Sequence, residues 1–303
     1  MTGKVAALFC LLLSPLAAQI NSPAQATYAG SETCKVCHEE VAGKFATNPH
    51  HALEVNQRKG WQGKSCEACH GPASRHVDSA DPKDIRNPAK LSPAETDRLC
   101  LSCHLNQRTQ AGRIQSGHAK NQVACVSCHS IHKTPEELKP TKAATINQEC
   151  ATCHVSVWVQ FQRPYKHKLP ENAMSCVDCH NPHGRNMTST VRMTASADEP
   201  ACLNCHGDKR GPFVFEHEPM RTDGCTACHE PHGSSHPRML TRHDDRITCL
   251  ECHANIGVPK PGQNGALGGV PPAFHNLNVP RFQQCVTCHV KVHGSNVDRT
   301  FLR

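Results

Sequence analysis

The chain has 303 residues, with 33 Lys and Arg against 26 Asp and Glu. Only 37% of the residues are hydrophobic and 4% aromatic, while Cys and His number 21 and 23. So little apolar side chain excludes two ordinary domains with aliphatic cores, because it cannot offset the entropy of ordering the chain. A net charge of +7 favours an acidic partner such as nucleic acid only if no charged cofactor is present.

The first element is a targeting segment. Lys4 is a short positive region, residues 5–18 are an apolar run too short to span a bilayer, and Ala24-Gln25-Ala26 has the small-residue cleavage pattern. This predicts a signal peptide over 1–26 that is cleaved, taking Cys10 with it, and a single domain over 27–303. No later stretch approaches 18 apolar residues, so no transmembrane helix is expected there.

Every remaining cysteine falls in one pattern, C-x-x-C-H, repeated ten times. In chain order the pattern pairs Cys34 with Cys37, Cys66 with Cys69, Cys100 with Cys103, Cys125 with Cys128 and Cys150 with Cys153. It then pairs Cys176 with Cys179, Cys202 with Cys205, Cys225 with Cys228, Cys249 with Cys252 and Cys285 with Cys288. The histidines that close the motifs are His38, His70, His104, His129, His154, His180, His206, His229, His253 and His289. This is the attachment signature of c-type haem. Two thiols about one helical turn apart add to the two vinyl groups, and the adjacent His is held under the iron as proximal ligand. A zinc site has no need of His directly after every second Cys. A thioredoxin-like site needs one motif, and a disulfide scaffold has varied spacings. Ten motifs predict ten covalently bound c-type haems.

Thirteen further histidines are available for the distal sides: His50, His51, His76, His118, His132, His167, His183, His217, His232, His236, His243, His275 and His293. The spare methionines keep no regular offset from the motifs, so bis-His iron is expected throughout. Closed axial positions favour electron transfer over substrate binding. Placement also shows an internal repeat. The motifs beginning at Cys125, Cys176, Cys225 and Cys285 are each followed by a His (His132, His183, His232, His293) and preceded by one (His118, His167, His217, His275). The unit therefore holds two haems in roughly 50 residues. Many distal histidines are expected to ligate the haem of a neighbouring motif and so cross-link the chain, although the pairing itself is not written in the sequence.

Secondary structure should be sparse. Pro and Gly repeatedly follow the motifs, as in Gly71-Pro72, Asn181-Pro182-His183-Gly184 and Glu230-Pro231-His232-Gly233, and they act as breakers. Each motif is expected on a short helix ending there. The widest interval between motifs, after Cys249, contains the Gly/Pro-rich stretches 257–262 and 268–272. It reads as a long loop, with His275 inclining it towards partner contact.

The arrangement resembles the periplasmic decahaem cytochromes of the MtrA/DmsE type. The resemblance runs across nearly all of 27–303. It is carried by Cys66-Glu-Ala-Cys-His-Gly-Pro72, Gly117-His118, Asn181-Pro182-His183-Gly184, Lys209-Arg-Gly-Pro212 with Glu216-His217, Cys225–Ser234, and Val292-His-Gly-Ser-Asn296. It implies a multihaem fold with short helices and little or no β-sheet, an elongated row of ten haems threaded through an outer-membrane β-barrel porin. Electrons would pass between periplasmic or inner-membrane cytochromes and a cell-surface multihaem cytochrome or terminal reductase, with the protein in the periplasm at the outer membrane. Distal ligands carry over onto His50, His76, His118, His132, His167, His183, His217, His232 and His293. The family's tenth follows the ninth motif closely, where this chain reads Ala254-Asn255-Ile256-Gly257. His275 takes its place, with His236 and His243 as alternatives, and His51 is the alternative to His50.

Two other functions compete with a transmembrane conduit. One is a soluble periplasmic shuttle serving a respiratory reductase. The other is a multihaem oxyanion reductase, which would need a five-coordinate iron; the chain has no C-x-x-C-K motif and a surplus of His. An electron carrier rather than an enzyme is therefore expected. Two propionates on each haem would outnumber the small basic excess, so the positive charge reads as counter-charge rather than as a nucleic-acid surface.

Overall fold

A computed structural model describes residues 25–107, 110, 112–134, 137, 142–184, 201–253 and 279–303. The expected signal segment up to residue 24, the loop 254–278 and His275 lie outside the described residues. Two compact units divide at Pro88/Ala89.

Among the described residues the elements are short α-helices and single 3-10 turns, and β-pairing is confined to three isolated antiparallel bridges. The expectation of a largely irregular chain without sheet holds. No described helix is long and apolar enough to cross a membrane. Buried apolar side chains in this part of the chain are few and scattered: Ala73, Leu101, Ala124, Phe161, Leu169 and Leu203. Buried polar groups such as Glu67, Asn147, Thr96 and Ser234 do much of the stapling instead.

In the first unit the motif helices Ser31–Cys37 and Ser65–His70 are fixed by two carboxylates. Glu67 is 1% exposed and accepts from the backbone N–H groups of Ala29, Gly30 and Ala73 at 2.9–3.0 Å. Glu54 accepts from the Ser31 hydroxyl at 2.8 Å and the Ser65 N–H at 3.2 Å. The helix Ser65–His70 stops at Gly71, whose φ of +76° suits glycine.

In the second unit the longest described helix, Pro93–His104, starts with a capping box. The Ser92 hydroxyl accepts from Glu95 N–H, and Glu95 accepts from Ser92 N–H, with Pro93 in the first turn. The expectation of one helix per motif is corrected by turn type. Motifs one, two, three, five and nine lie at or near α-helix ends. Motifs four, six, seven, eight and ten are single 3-10 turns. Both forms close the same loop, because the motif His donates its N–H to the carbonyl of the first Cys at 2.9–3.0 Å, as in His38, His129, His154, His180 and His289. The turn around the two thiols needs no longer helix to hold it.

Candidate haem sites and their ligand pairs

Among the described residues, seven motif histidines have a ring facing that of a non-motif histidine. A metal–imidazole bond is about 2.0 Å and the ring centroid lies ~1.1 Å further back, so two imidazoles on one iron have centroids about 6.2 Å apart. The observed separations are 6.3 Å for His38–His76, 6.1 Å for His154–His118, 5.7 Å for His129–His183, 6.0 Å for His180–His232, 6.3 Å for His206–His167, 6.3 Å for His229–His293 and 6.2 Å for His253–His217. At His129–His183 the facing Nε2 atoms are 3.4 Å apart, somewhat tighter than the ~4 Å that two metal bonds would span. The residues fit an iron between each pair of rings, and every non-motif member belongs to the expected distal set.

Each His upstream of a motif crosses to the motif after it: His118 to His154, His167 to His206, His217 to His253. Three histidines downstream of a motif reach back to the motif two before their own: His183 to His129, His232 to His180, His293 to His229. Two kinds of link therefore interleave along the second unit.

Further hydrogen bonds aim the rings. His118 Nδ1 lies 2.9 Å from the Pro182 carbonyl and His167 Nδ1 2.8 Å from the Pro231 carbonyl, and His217 bonds the backbone of Val292. Each acceptor immediately precedes the distal His of the adjoining site. Proximal rings are held alike, with His70 Nδ1 2.9 Å from Arg86 O, His229 Nδ1 2.9 Å from Arg238 O, and His289 Nδ1 2.6 Å from Thr300 O. A carbonyl on Nδ1 fixes the tautomer that leaves Nε2 free to bind a metal. Burial, helped by neighbouring imidazoles, lowers the pKa of His183, His217 and His232. Burial together with Lys209 lowers His293 to about 4. These rings are neutral nitrogen donors at ordinary pH.

The thiols also pair. First cysteines of successive motifs lie near enough to perturb one another: Cys34 with Cys66, Cys100 with Cys125, Cys150 with Cys176, Cys202 with Cys225, and Cys249 with Cys285. In the second unit one thiol of such a pair is drawn down by its neighbour, Cys100 to about 7 and Cys202 to about 6, and the other, Cys125 or Cys225, is pushed up. Three residues before an odd-numbered motif, Asp97 and Asn147 accept from the N–H of the next motif's first Cys, Cys125 at 3.1 Å and Cys176 at 3.0 Å. In the second unit the thiol contacts join motifs three to four, five to six, seven to eight and nine to ten. The distal-histidine bonds join four to five, six to seven and eight to nine. Consecutive sites thus adjoin in chain order.

The second cysteine of each motif is placed differently from the first. Cys37, Cys103, Cys128, Cys153, Cys179, Cys205, Cys252 and Cys288 are exposed, and Cys69 and Cys228 are half-buried. Where the motif is a tight turn, the backbone rather than the sulfur is held. The N–H groups of Cys128, Cys153, Cys179, Cys205, Cys228, Cys252 and Cys288 donate to the carbonyl of the first Cys at 3.2–3.3 Å. The Cys69 carbonyl accepts from Arg86 Nε at 2.8 Å, and Cys103 lies in the last turn of its helix with its sulfur 3.8 Å from the Ser102 hydroxyl. Second thiols also approach the following motif: besides burial, Cys153 helps to raise the Cys128 thiol, Cys205 that of Cys179 and Cys252 that of Cys228. The expected role of Cys69, Cys103, Cys153, Cys205, Cys252 and Cys288 as second thioether anchors rests on motif spacing.

Two glycines let the downstream histidines reach back. After His232 and His293 come Gly233 and Gly294, at φ +134° and +140°. The serine that follows exchanges two backbone hydrogen bonds with Tyr165 in one case and Phe215 in the other. Phe161 then packs on His232 at 5.3 Å and Phe301 on His217 at 5.4 Å. Neither aromatic contact was visible in the sequence, since neither residue keeps a fixed offset from a motif.

The remaining expected ligands are less fully placed. His50 Nδ1 lies 3.2 Å from Asn48 Oδ1, the same kind of support the paired rings have. The His51 ring instead lies edge-on to Phe45 at 6.0 Å. His132 follows the fourth motif on an exposed bend. The reserves His236 and His243 face each other at 5.9 Å, away from the seven pairs.

Comparison with known proteins decides the family. Multiheme cytochrome MtrA of Shewanella baltica is 34% identical over 277 residues, covering 88% of this chain and 79% of its own. The chain belongs to the MtrA family of multihaem cytochromes. Cytochrome c-type protein NrfB of Escherichia coli is 29% identical over 130 residues, 40% of this chain and 63% of its own. Residues 73–130 and 131–184 match the cytochrome c554 and c-prime family. Residues 167–211 and 217–257 match the doubled C-x-x-C-H family. In this MtrA relative each doubled match begins at a His upstream of a motif and includes the motif His whose ring it faces, His167 with His206 and His217 with His253. The chain binds haem c and transfers electrons.

Proposed function

We propose that this MtrA-family chain, after removal of residues 1–26, carries ten bis-His haems on residues 27–303 and conducts electrons across the outer membrane inside a β-barrel porin. Its partners are periplasmic donors or acceptors on one side and a cell-surface cytochrome or reductase on the other. The carrying observation is the chain-order contact of sites three to ten through alternating thiol pairs and distal-histidine bonds. The twenty motif cysteines form the thioethers, the ten motif histidines are proximal ligands, and His50, His76, His118, His132, His167, His183, His217, His232, His275 and His293 are distal. Haem supplies one-electron chemistry when bound. The protein's own residues close both axial positions, aim several imidazoles through an Nδ1 partner, and hold successive sites against one another. A hydrocarbon core about 30 Å thick is too wide for one tunnelling step, so close spacing of many centres is what the task requires.

The test is co-expression with and without a barrel protein, followed by detergent purification and reconstitution in liposomes enclosing a reduced dye. Co-purification with the barrel, and dye oxidation by an external acceptor only when both proteins are present, are expected. Full recovery of the cytochrome in the osmotic-shock fraction, with no dye oxidation, would replace the conduit by a periplasmic shuttle.

A further inference from the structure

Asp97 and Arg113 form a buried ion pair at the third and fourth motifs. Arg113 Nη2 lies 2.8 Å from Asp97 Oδ2, with the two side chains 5% and 9% exposed. The other Asp97 oxygen accepts from Cys125 N–H at 3.1 Å and touches the Cys125 sulfur at 3.0 Å. Arg113 also donates to the Ser116 hydroxyl at 3.0 Å and to the Val123 carbonyl.

The next repeat does the same job without charge. Asn147 stands three residues before its motif as Asp97 does. Its Oδ1 accepts from Cys176 N–H at 3.0 Å and touches the Cys176 sulfur at 3.3 Å. Its amide donates to the carbonyls of Leu169 and Met174 at 3.1 and 2.9 Å. Holding two motifs together therefore needs an acceptor but not a carboxylate. Burying an ion pair is costly compared with a neutral arrangement, so the charge at Asp97–Arg113 calls for another explanation. The pair stands directly on the fourth motif, with Asp97 Oδ1 against the Cys125 sulfur and the Cys125 N–H, and Arg113 held beside it.

We propose that Asp97 and Arg113 set the redox balance of the third and fourth haem sites, the carboxylate favouring oxidised iron and the guanidinium favouring reduced iron, while the fifth and sixth sites are left without such a pair. The inference rests on the reading of these motifs as haem sites. Both are positioning residues, acting through the field and not by contact with iron.

The experiment is spectropotentiometric titration of the full holoprotein carrying D97N, R113Q, both together, or N147D, with haem content and the low-spin fraction measured on every sample. A unit charge about 10 Å from a redox centre biases it slightly more than tenfold at an effective dielectric constant of 20, and tenfold is 59 mV for a one-electron couple. Part of the titration envelope should move up in D97N and down in R113Q by about that factor, with the double variant near the parent and N147D moving down. A purely structural role would lower stability in both single variants without opposite shifts. Unchanged envelopes, or shifts of the same sign in both, would overturn the proposal. If either single variant fails to load its haems, the double variant and N147D decide, and an unchanged envelope in N147D is then the overturning result. A parent protein with fewer than ten low-spin haems fails the haem reading instead, independently of the variants.

Discussion

Replacing Gly233 by Ala isolates the close approach that brings His232 to His180. A Cβ at this position would lie 2.4 Å from the Gln160 carbonyl oxygen and 3.2 Å from its carbon, with Lys166 Cβ at 3.3 Å. The obstacle is backbone, which cannot swing aside. A φ of +134° costs an L-residue about 1–3 kcal/mol. The Tyr165–Ser234 bridge, with hydrogen bonds of 3.2 and 2.8 Å, would open at about 1 kcal/mol per bond. The sum is about 3–5 kcal/mol, or a fall of roughly 10 °C in melting temperature for a domain of this size. Thermal unfolding followed in the Soret region measures it, and low-spin absorption reports whether one ligand pair is lost. G294A should cost less, because its Cβ meets the Phe213 ring, a side chain that can rotate. G43A is the control: Gly43 lies inside the helix Glu39–Thr47 with nothing within 4 Å, so alanine should be neutral or stabilise by about 0.5–1 kcal/mol. Equal melting temperatures for G233A and G43A would refute the reasoning.

Other perturbations address other links. H183M should raise the potential of one haem by on the order of 0.1 V; an unchanged redox titration would count against His183 as a ligand. E67A should orphan three N–H donors, a buried one at Ala73 costing about 1–3 kcal/mol and half-buried ones at Ala29 and Gly30 costing less, and expose the first unit to limited proteolysis; an unchanged cleavage pattern would contradict this. Burial pushes Glu54 up, but hydrogen bonds from Ser65 and Ser31 outweigh it and hold the carboxyl below its ordinary value. Its contribution is therefore present above the unfolded value of about 4.3 and lost as pH falls through the lower folded value. The protection of the Ser65 amide, measured as its exchange rate relative to that of an unstructured amide at the same pH, should fall on acidification below about pH 4, and E54Q should abolish that dependence; persistence of it in E54Q would assign it elsewhere.

The chemistry of the sites was legible in the sequence because thioether attachment dictates residue type and spacing together. Seven histidines of the expected distal set stand opposite motif histidines, and they were noticeable in the sequence because they keep short offsets from the motifs. Which ring meets which was not. His183 finds His129 across a span of 54 residues and not the nearer His180, because the reach-back depends on the whole path of the repeat. Nor did the motif letters show that eight of the ten second thiols would be exposed. The glycines after His232 and His293 stood in the sequence as turn signals, yet their reason is the backbone of Gln160 and the ring of Phe213, which only the fold brings close. The helix expectation changed form at motifs four, six, seven, eight and ten. There a single turn, closed by the motif His on the first Cys carbonyl, is all that the attachment geometry demands. The exchange of Asp97 for Asn147 was visible as letters but carried no meaning until Arg113 was placed beside one and two carbonyls beside the other.

The most direct test of the account is a joint count of haem and spin state in the purified oxidised holoprotein. Mass spectrometry and pyridine haemochrome absorbance give haems per chain, and electron paramagnetic resonance gives the share that is six-coordinate. Ten haems, all low-spin, are predicted. A high-spin ferric signal equivalent to one haem per chain, or a count below ten, would contradict ligation by two histidines throughout and return an open iron to consideration.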